Sequence, residues 1–284
     1  MAKNTQSRKQ NTIPKGKKRK NSRQRIRKRK MQIKVSIWAV CAIMLALIIW
    51  TLWPYLSDNS SPEKGDTVPK GSYCYGIDIS HYQDNIQWDS LMVLCDGAGR
   101  TVRSKITAKD IKPVSFVFIK ATEGNSMKDE KFKEHWKEAE ERDMLRGAYH
   151  FFRSSKNGKS QAQNFINTVG EISPDDLPPV LDIETIHNGC SHKKLNDRAL
   201  DWLETIHEHY GRKPLIYSSA SFIENILSDD IKNNYPIWVA HYKTDQPLYD
   251  KWKIWQFTDK AVVYGIHGYT DLNVCSPDFV KILK

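Results

Sequence analysis

Asp182-Ile183-Glu184 closes the run Leu177-Pro-Pro-Val-Leu-Asp-Ile-Glu184, an apolar stretch with the composition of a buried strand. Residues i and i+2 of a strand project to the same face, roughly 6–7 Å apart at about 3.3 Å rise per residue. Two carboxyl groups in that relation raise each other's pKa, so one keeps its proton while the other is charged. Glycoside hydrolysis uses that division of labour. A strand ending in two solvated acids reads the same way, so the triplet needs partners. Tyr75-Gly-Ile-Asp78-Ile-Ser-His81, Ala148-Tyr149-His150-Phe151 and Thr270-Asp271-Leu272-Asn273 supply them, each bringing an acid or a polar aromatic to the end of a strand-like run. Four acids on one rim are harder to explain as loop residues than one.

The elements that position these groups read as an alternation of strands and helices. Strands are expected at Tyr75–Ser80, Ser115–Lys120, Arg146–Phe151, Pro179–Ile183, Lys213–Tyr217, Pro236–Ala240, Trp252–Phe257 and Gly268–Leu272. Helical stripes run through Phe132, Trp136 and Ala139, and through Leu195, Ala199, Leu203, Ile206 and Tyr210, the second ended by Gly211. Too little chain separates the last three strands for long helices. The expectation is a TIM-like (β/α)5(β)3 barrel with its site at the C-terminal ends of the strands. Strands one and eight adjoin in a closed barrel, which sets Asp78 against Asp271 across the mouth.

The net charge of +11 over 284 residues is segregated. Residues 1–34 hold fifteen Lys and Arg and no acid, leaving 29 basic against 33 acidic residues after them. Val35 to Trp53 follows as 19 uncharged residues, roughly 28 Å of helix against a bilayer core of about 30 Å. Trp38 lies near one end, and Trp50, Trp53 and Tyr55 near the other, as interfacial aromatics do. Residues 35–55 are therefore expected to be a transmembrane signal anchor, with the basic tail cytoplasmic and the remainder outside. That assigns the tail to topology and anionic lipid rather than to nucleic acid. Residues 56–72, rich in Ser, Asp, Pro, Lys and Gly, read as a linker, and 73–284 as the globular domain. Cys41 falls in the apolar span. Cys74, Cys95, Cys190 and Cys275 lie beyond it and permit two disulfides in three connectivities.

Taken together, Gly76-Ile-Asp78-Ile-Ser-His-Tyr-Gln83, Phe116-Val-Phe-Ile-Lys-Ala-Thr-Glu-Gly124, Arg146-Gly-Ala-Tyr-His-Phe151, Pro179-Val-Leu-Asp-Ile-Glu184, Pro214-Leu-Ile-Tyr217, Pro236-Ile-Trp-Val-Ala240, Trp255-Gln256 and Gly268-Tyr-Thr-Asp-Leu-Asn273 resemble the family 25 glycoside hydrolases, the Chalaropsis-type lysozymes. The likeness covers about residues 73–284 and implies a β5α5β3 barrel that cleaves peptidoglycan between N-acetylmuramic acid and N-acetylglucosamine. It further implies Glu184 as general acid and Asp182 as the group that steadies an intermediate formed by the substrate's own N-acetyl group. Asp78 and Asp271 complete the acidic floor. Tyr149, Tyr217, Trp238 and Trp255 lie in or beside the matching strands and are candidates for stacking on sugar rings, with core packing as the competing fate of a strand aromatic. Lys120 is a candidate for substrate contact or for an ion pair with a floor carboxylate. The segment Cys95–Asp110 is longer than the family's usual connection, and its Gly97-Ala98-Gly99 suggests an inserted hairpin between the first helix and the second strand.

Two other functions compete with this reading. His187, Cys190 and His192 crowd the acid pair as zinc ligands would, but their spacing matches no standard site, and no metal or other cofactor is expected. A barrel that binds wall glycan without cleaving it is the second alternative, disfavoured by the intact set of four acids.

Overall fold

The computed structural model describes residues 62–276 continuously, with residue 279 and scattered positions between 27 and 48. Among the described residues no helix is long and apolar enough to cross a membrane. The expected basic tail over 1–34 and anchor over 35–55 lie largely outside the described residues.

Eight strands close a barrel: β2 (Cys74–Ile79), β5 (Asp110–Glu123), β7 (Leu145–Phe151), β8 (Val180–Asp182), β9 (Leu215–Ser219), β10 (Ile237–Ala240), β11 (Trp252–Ala261) and β12 (Thr270–Cys275). Neighbours run β5-β2-β12-β11-β10-β9-β8-β7, and the β5–β7 pairing completes the ring. Every pair is parallel except those of β12, which is antiparallel to both β11 and β2. Only residues 262–269 separate β11 from β12, too few for a parallel crossover.

The helical layer is thinner than expected. Helices α1 (Phe132–Glu140), α2 (Gly158–Val169) and α3 (His192–Tyr210) fill three crossovers, and two short helices, α4 (Ala220–Asn225) and α5 (Asp229–Asn234), fill the fourth. Leu195, Ala199, Leu203 and Ile206 are buried as the stripe predicts, and Ser191 and Gly211 cap the two ends of α3.

The first crossover departs from the five-helix expectation. It holds a single 3₁₀ turn at Trp88–Ser90 and then the hairpin of β3 (Met92–Cys95) and β4 (Arg100–Val102). β3 pairs antiparallel with the first residues of β5, so Met92-Val-Leu-Cys95 finds its backbone partners on an extended sheet edge instead of in a helix. The hairpin signalled by Gly97-Ala98-Gly99 is present, with Gly99 at φ +77°. β4 also pairs with β1 (Lys64–Thr67), a strand inside the stretch expected to be only linker. Asp66 accepts a 2.6 Å hydrogen bond from the Thr258 hydroxyl, tying this segment to β11.

The barrel interior packs around Phe116, Phe118, Val180, Leu215, Tyr217, Trp238 and Ile254. Two glycines make room for it. A Cβ on Gly76 would stand 2.2 Å from the Phe116 ring, and one on Gly147 2.4 Å from that of Phe118. The Phe118 and Trp238 rings lie 4.7 Å apart, so aromatic side chains fill the lower barrel and leave the upper end to polar groups.

Candidate active site

A cleft of about 230 Å³ opens at the C-terminal ends of the parallel strands, lined by Asp78, Lys120, Tyr149, Asp182, Glu184, Tyr217, Trp238 and Asp271 among others. Alternation along the strands explains the selection. Cys74, Gly76 and Asp78 share the inner face of β2, and Asp271, Asn273 and Cys275 share that of β12. Asp271 lies directly opposite Asp78 in the β12–β2 register. The expected neighbours therefore meet, but Asp271 comes from the start of its strand rather than the end, because β12 runs backwards.

Asp182 ends β8 and is buried, whereas Glu184, two residues further on, is exposed at the cleft's edge. The prolines at 178 and 179 cannot donate to a ladder, and β8 begins only after them. The ladder then continues through a 3.0 Å bond from the Ile183 amide to the Tyr217 carbonyl, which carries the extended backbone towards Glu184. Asp182 Oδ1 is buried without a hydrogen-bond partner among the described residues. Burial pushes the Asp182 pKa well above the usual carboxylate range, reinforced by the nearby charge of Glu184 and a hydrogen bond to it.

Asp78 and Asp271 form a second pair. Asp78 Oδ2 accepts from Asn273 Nδ2 at 2.7 Å and from Gln256 Nε2 at 2.9 Å. Burial raises the Asp78 pKa above the usual carboxylate value, and those bonds, with one from Asp271, oppose the rise. Asp271 has no comparable support. Burial first, then the charge of Asp78, raises its pKa to about 9. Asp271 therefore keeps its proton at neutral pH and donates a hydrogen bond to Asp78.

Gln256 and Asn273 stand inside motifs quoted above but were not singled out as site residues. Gln256 Oε1 accepts from the hydroxyls of Tyr217, at 2.8 Å, and of Tyr242, and Asn273 Oδ1 accepts from Trp238 Nε1 at 2.8 Å. A hydrogen-bonded chain thus runs from three aromatics through two amides to Asp78. Strand parity carried the missing signal: residues 255 and 256 cannot both face inward. Gln256 takes the inner face, so Trp255 lies outside the cleft, contrary to the expectation of a sugar contact. Its ring packs 6.2 Å from Trp252 and 5.9 Å from Phe257, and its Nε1 donates to the His241 carbonyl. Tyr82, Gln83 and Phe151 also line the cleft and were missed.

Lys120 lines the cleft but pairs with Glu123, at 2.8 Å, rather than with a floor acid. Glu123 also accepts from Arg153, and both cations sit over the Phe151 ring, at 5.1 and 4.8 Å from its centroid. Tyr149 and Tyr217 have phenol pKa values raised well above 10, chiefly by burial and then by neighbouring charges that include the floor acids. Around the suspected zinc ligands, Arg153 contacts His187 Nε2 at 3.0 Å and the Ser154 hydroxyl contacts Nδ1 at 3.0 Å. The Cys190 thiol points to the Ser154 carbonyl. Among the described residues no three His, Cys, Asp or Glu side chains converge as a metal site.

The sequence from residue 77 to 266 matches the model for glycosyl hydrolases family 25. Over 209 residues the chain is 37% identical to YegX of Escherichia coli K12, covering 73% of this chain and 71% of that protein. It is 31% identical to lysozyme M1 of Streptomyces globisporus over 222 residues, 73% of this chain and 69% of the relative. Among solved structures it resembles the bacterial lysozyme from Streptomyces coelicolor, with a TM-score of 0.62 and 29% identity over 75% of this chain and 98% of that one. A family 25 glycosyl hydrolase from Bacillus anthracis gives a TM-score of 0.60 at 27% identity, over 76% and 94% of the two chains. With the closed barrel, the acid-lined cleft and this match in hand, the chain belongs to family 25 of the glycosyl hydrolases and is a glycoside hydrolase.

Proposed function

We propose that this protein is a peptidoglycan muramidase, hydrolysing the β-1,4 bond from N-acetylmuramic acid to N-acetylglucosamine. The observation that carries the reading is the pairing of a buried Asp182 Oδ1, unpartnered among the described residues, with an exposed Glu184 in one cleft. A buried carboxylate oxygen without a donor is costly and suits a ligand N–H. The 2-acetamido group of an N-acetylated sugar carries such an N–H.

The proton inventory gives this pair a sequence of steps. At rest burial and the neighbouring Glu184 favour the protonated form of Asp182, which hydrogen-bonds Glu184. An acetamido N–H arriving at Asp182 supplies the missing donor and favours its charged form, so the proton passes to Glu184. Glu184 delivers it to the glycosidic oxygen as the acetamido carbonyl oxygen attacks C1. Water then opens the resulting ring intermediate, with Glu184 now acting as base. Asp78, held by two amides, and the protonated Asp271 hydrogen-bond sugar hydroxyls at the floor. Tyr149, Tyr217 and Trp238 give apolar ring faces to the sugar's C–H surface.

In this reading the enzyme is tethered through residues 35–55, with its tail in the cytoplasm and its barrel facing the wall, where glycan strands are its partner. Replacing Glu184 by Gln keeps the shape and removes the transferable proton. Wall digestion should fall about 10²–10⁴-fold with folding unchanged. A folded Glu184→Gln protein that digests wall at the wild-type rate removes Glu184 from the mechanism.

A further inference from the structure

Cys74 and Cys275 face each other across the barrel's antiparallel seam, at the foot of the two strands whose tops carry Asp78 and Asp271. In the β2–β12 register Cys275 pairs with Cys74 just as Asp271 pairs with Asp78, four residues along each strand. Cys275 is buried in the barrel-interior cluster and the half-buried Cys74 packs against it, so their side chains point to the same side of the sheet. Directly opposed residues of an antiparallel pair have Cα atoms about 4.5–5.5 Å apart, within the roughly 4.4–6.8 Å that a disulfide spans. The two thiols also interact electrostatically.

The remaining cysteines do not compete. Cys95 pairs with Asp110, four residues before the Val114 that pairs with Tyr75, which sets it three residues, about 10 Å, beyond Cys74 along the strand direction. Cys190 sits in the loop after β8, at the cleft end of the barrel. Of the three connectivities open to the sequence, the fold therefore presents one pair within reach and leaves Cys95 and Cys190 at opposite ends.

We infer that Cys74 and Cys275 form a disulfide that staples β12 to β2 when the protein meets an oxidising thiol–disulfide pool. Cys74 is the more accessible sulfur and Cys275 is buried, which orders the steps. The Cys74 thiolate attacks a disulfide oxidant such as oxidised glutathione, expelling one glutathione thiolate. Cys275 gives up its proton and attacks the Cys74 sulfur, expelling the glutathione bound there. Two protein thiols lose two electrons, and one oxidant disulfide becomes two thiols. The bond fixes the register of the strand pair that presents the proton-sharing acids, and it closes a loop of about 200 residues in the unfolded chain.

Formation in the cell rests on the barrel facing the extracytoplasmic side, as proposed above; the geometry can be tested separately. Full-length protein in detergent, reduced and then incubated with oxidised glutathione, is denatured, alkylated without reduction and mapped by mass spectrometry. The expected product is one cross-linked peptide pair containing Cys74 and Cys275, lighter by two hydrogens, with Cys95 and Cys190 alkylated. Oxidation should raise the wild-type Tm by about 5–15 °C and leave Cys275→Ser and Cys74→Ser unmoved. Alkylation of both Cys74 and Cys275, or linkage of either to Cys95 or Cys190, overturns the inference. A pair that oxidises readily in vitro but is isolated from cells as two thiols upholds the geometry and counts against the extracytoplasmic placement.

Discussion

Replacing Asp271 by Asn tests whether the Asp78–Asp271 pair shares one proton. Asn mimics the protonated acid: it is neutral, nearly isosteric, and can still donate to Asp78. The native Asp271 has a pKa of about 9 against an ordinary value of 3.8. The folded state therefore keeps a proton that the unfolded chain releases, and folding stability falls as pH rises between those values. The contribution is whole below pH ~4 and exhausted above pH ~9. One retained proton sets a slope of about 1.4 kcal/mol per pH unit. Between pH 5 and pH 8 the wild-type protein should lose up to about 4 kcal/mol through this group, a loss that Asp271→Asn escapes. Urea unfolding of both proteins at unit steps from pH 5 to pH 8, followed by tryptophan fluorescence, reads the difference. The unfolding free energy of the variant should gain on that of wild type by about 1.4 kcal/mol for each pH unit of that range. Parallel stability profiles across that range refute the proton-sharing account. Asp78, Glu184 and Asp259 remain in both proteins, and the Asn amide keeps a donor towards Asp78.

Gly76→Ala places a methyl 2.2 Å from the Phe116 ring, and overpacking of a closed barrel should cost about 1–3 kcal/mol or more in urea unfolding. The further change Phe116→Leu should recover part of that loss, while a single variant within 0.5 kcal/mol of wild type, roughly the scatter of neutral surface changes, removes the steric argument. For topology, a reporter fused after Lys284 should be active only outside the cytoplasm, and the protein should stay with membranes in high salt. Salt release, or a mature N-terminus mapped beyond Trp53, counts against the anchor.

Much of the site was legible because strand periodicity and terminal acids are local signals. All eight barrel strands were found to within a few residues, and the Asp78–Asp271 opposition followed from closure alone. What escaped depended on parity or on distant partners. Trp255 reads as a sugar platform by residue type, yet the side chain on the inner face is its neighbour Gln256, which bonds Asp78 across 178 positions of sequence. Lys120 lines the cleft, but its partner is Glu123 at the end of its own strand. The missing first helix and the extra strand at Lys64–Thr67 share one cause. β5 extends below the barrel as a sheet edge, and nearby segments pair with it or with its hairpin in preference to their local tendencies. No pattern inside either segment records that edge.

As a muramidase, the protein would cut a glycan strand on the reducing side of N-acetylmuramic acid, in the cleft of Asp182 and Glu184. The most direct measurement is mass spectrometry of soluble fragments after the purified protein digests peptidoglycan, with borohydride reduction marking the new ends. Reduced N-acetylmuramic acid is expected at those ends, and its loss with Glu184→Gln. Reduced N-acetylglucosamine, or fragments released by peptide or amide cleavage with intact glycan, would contradict it.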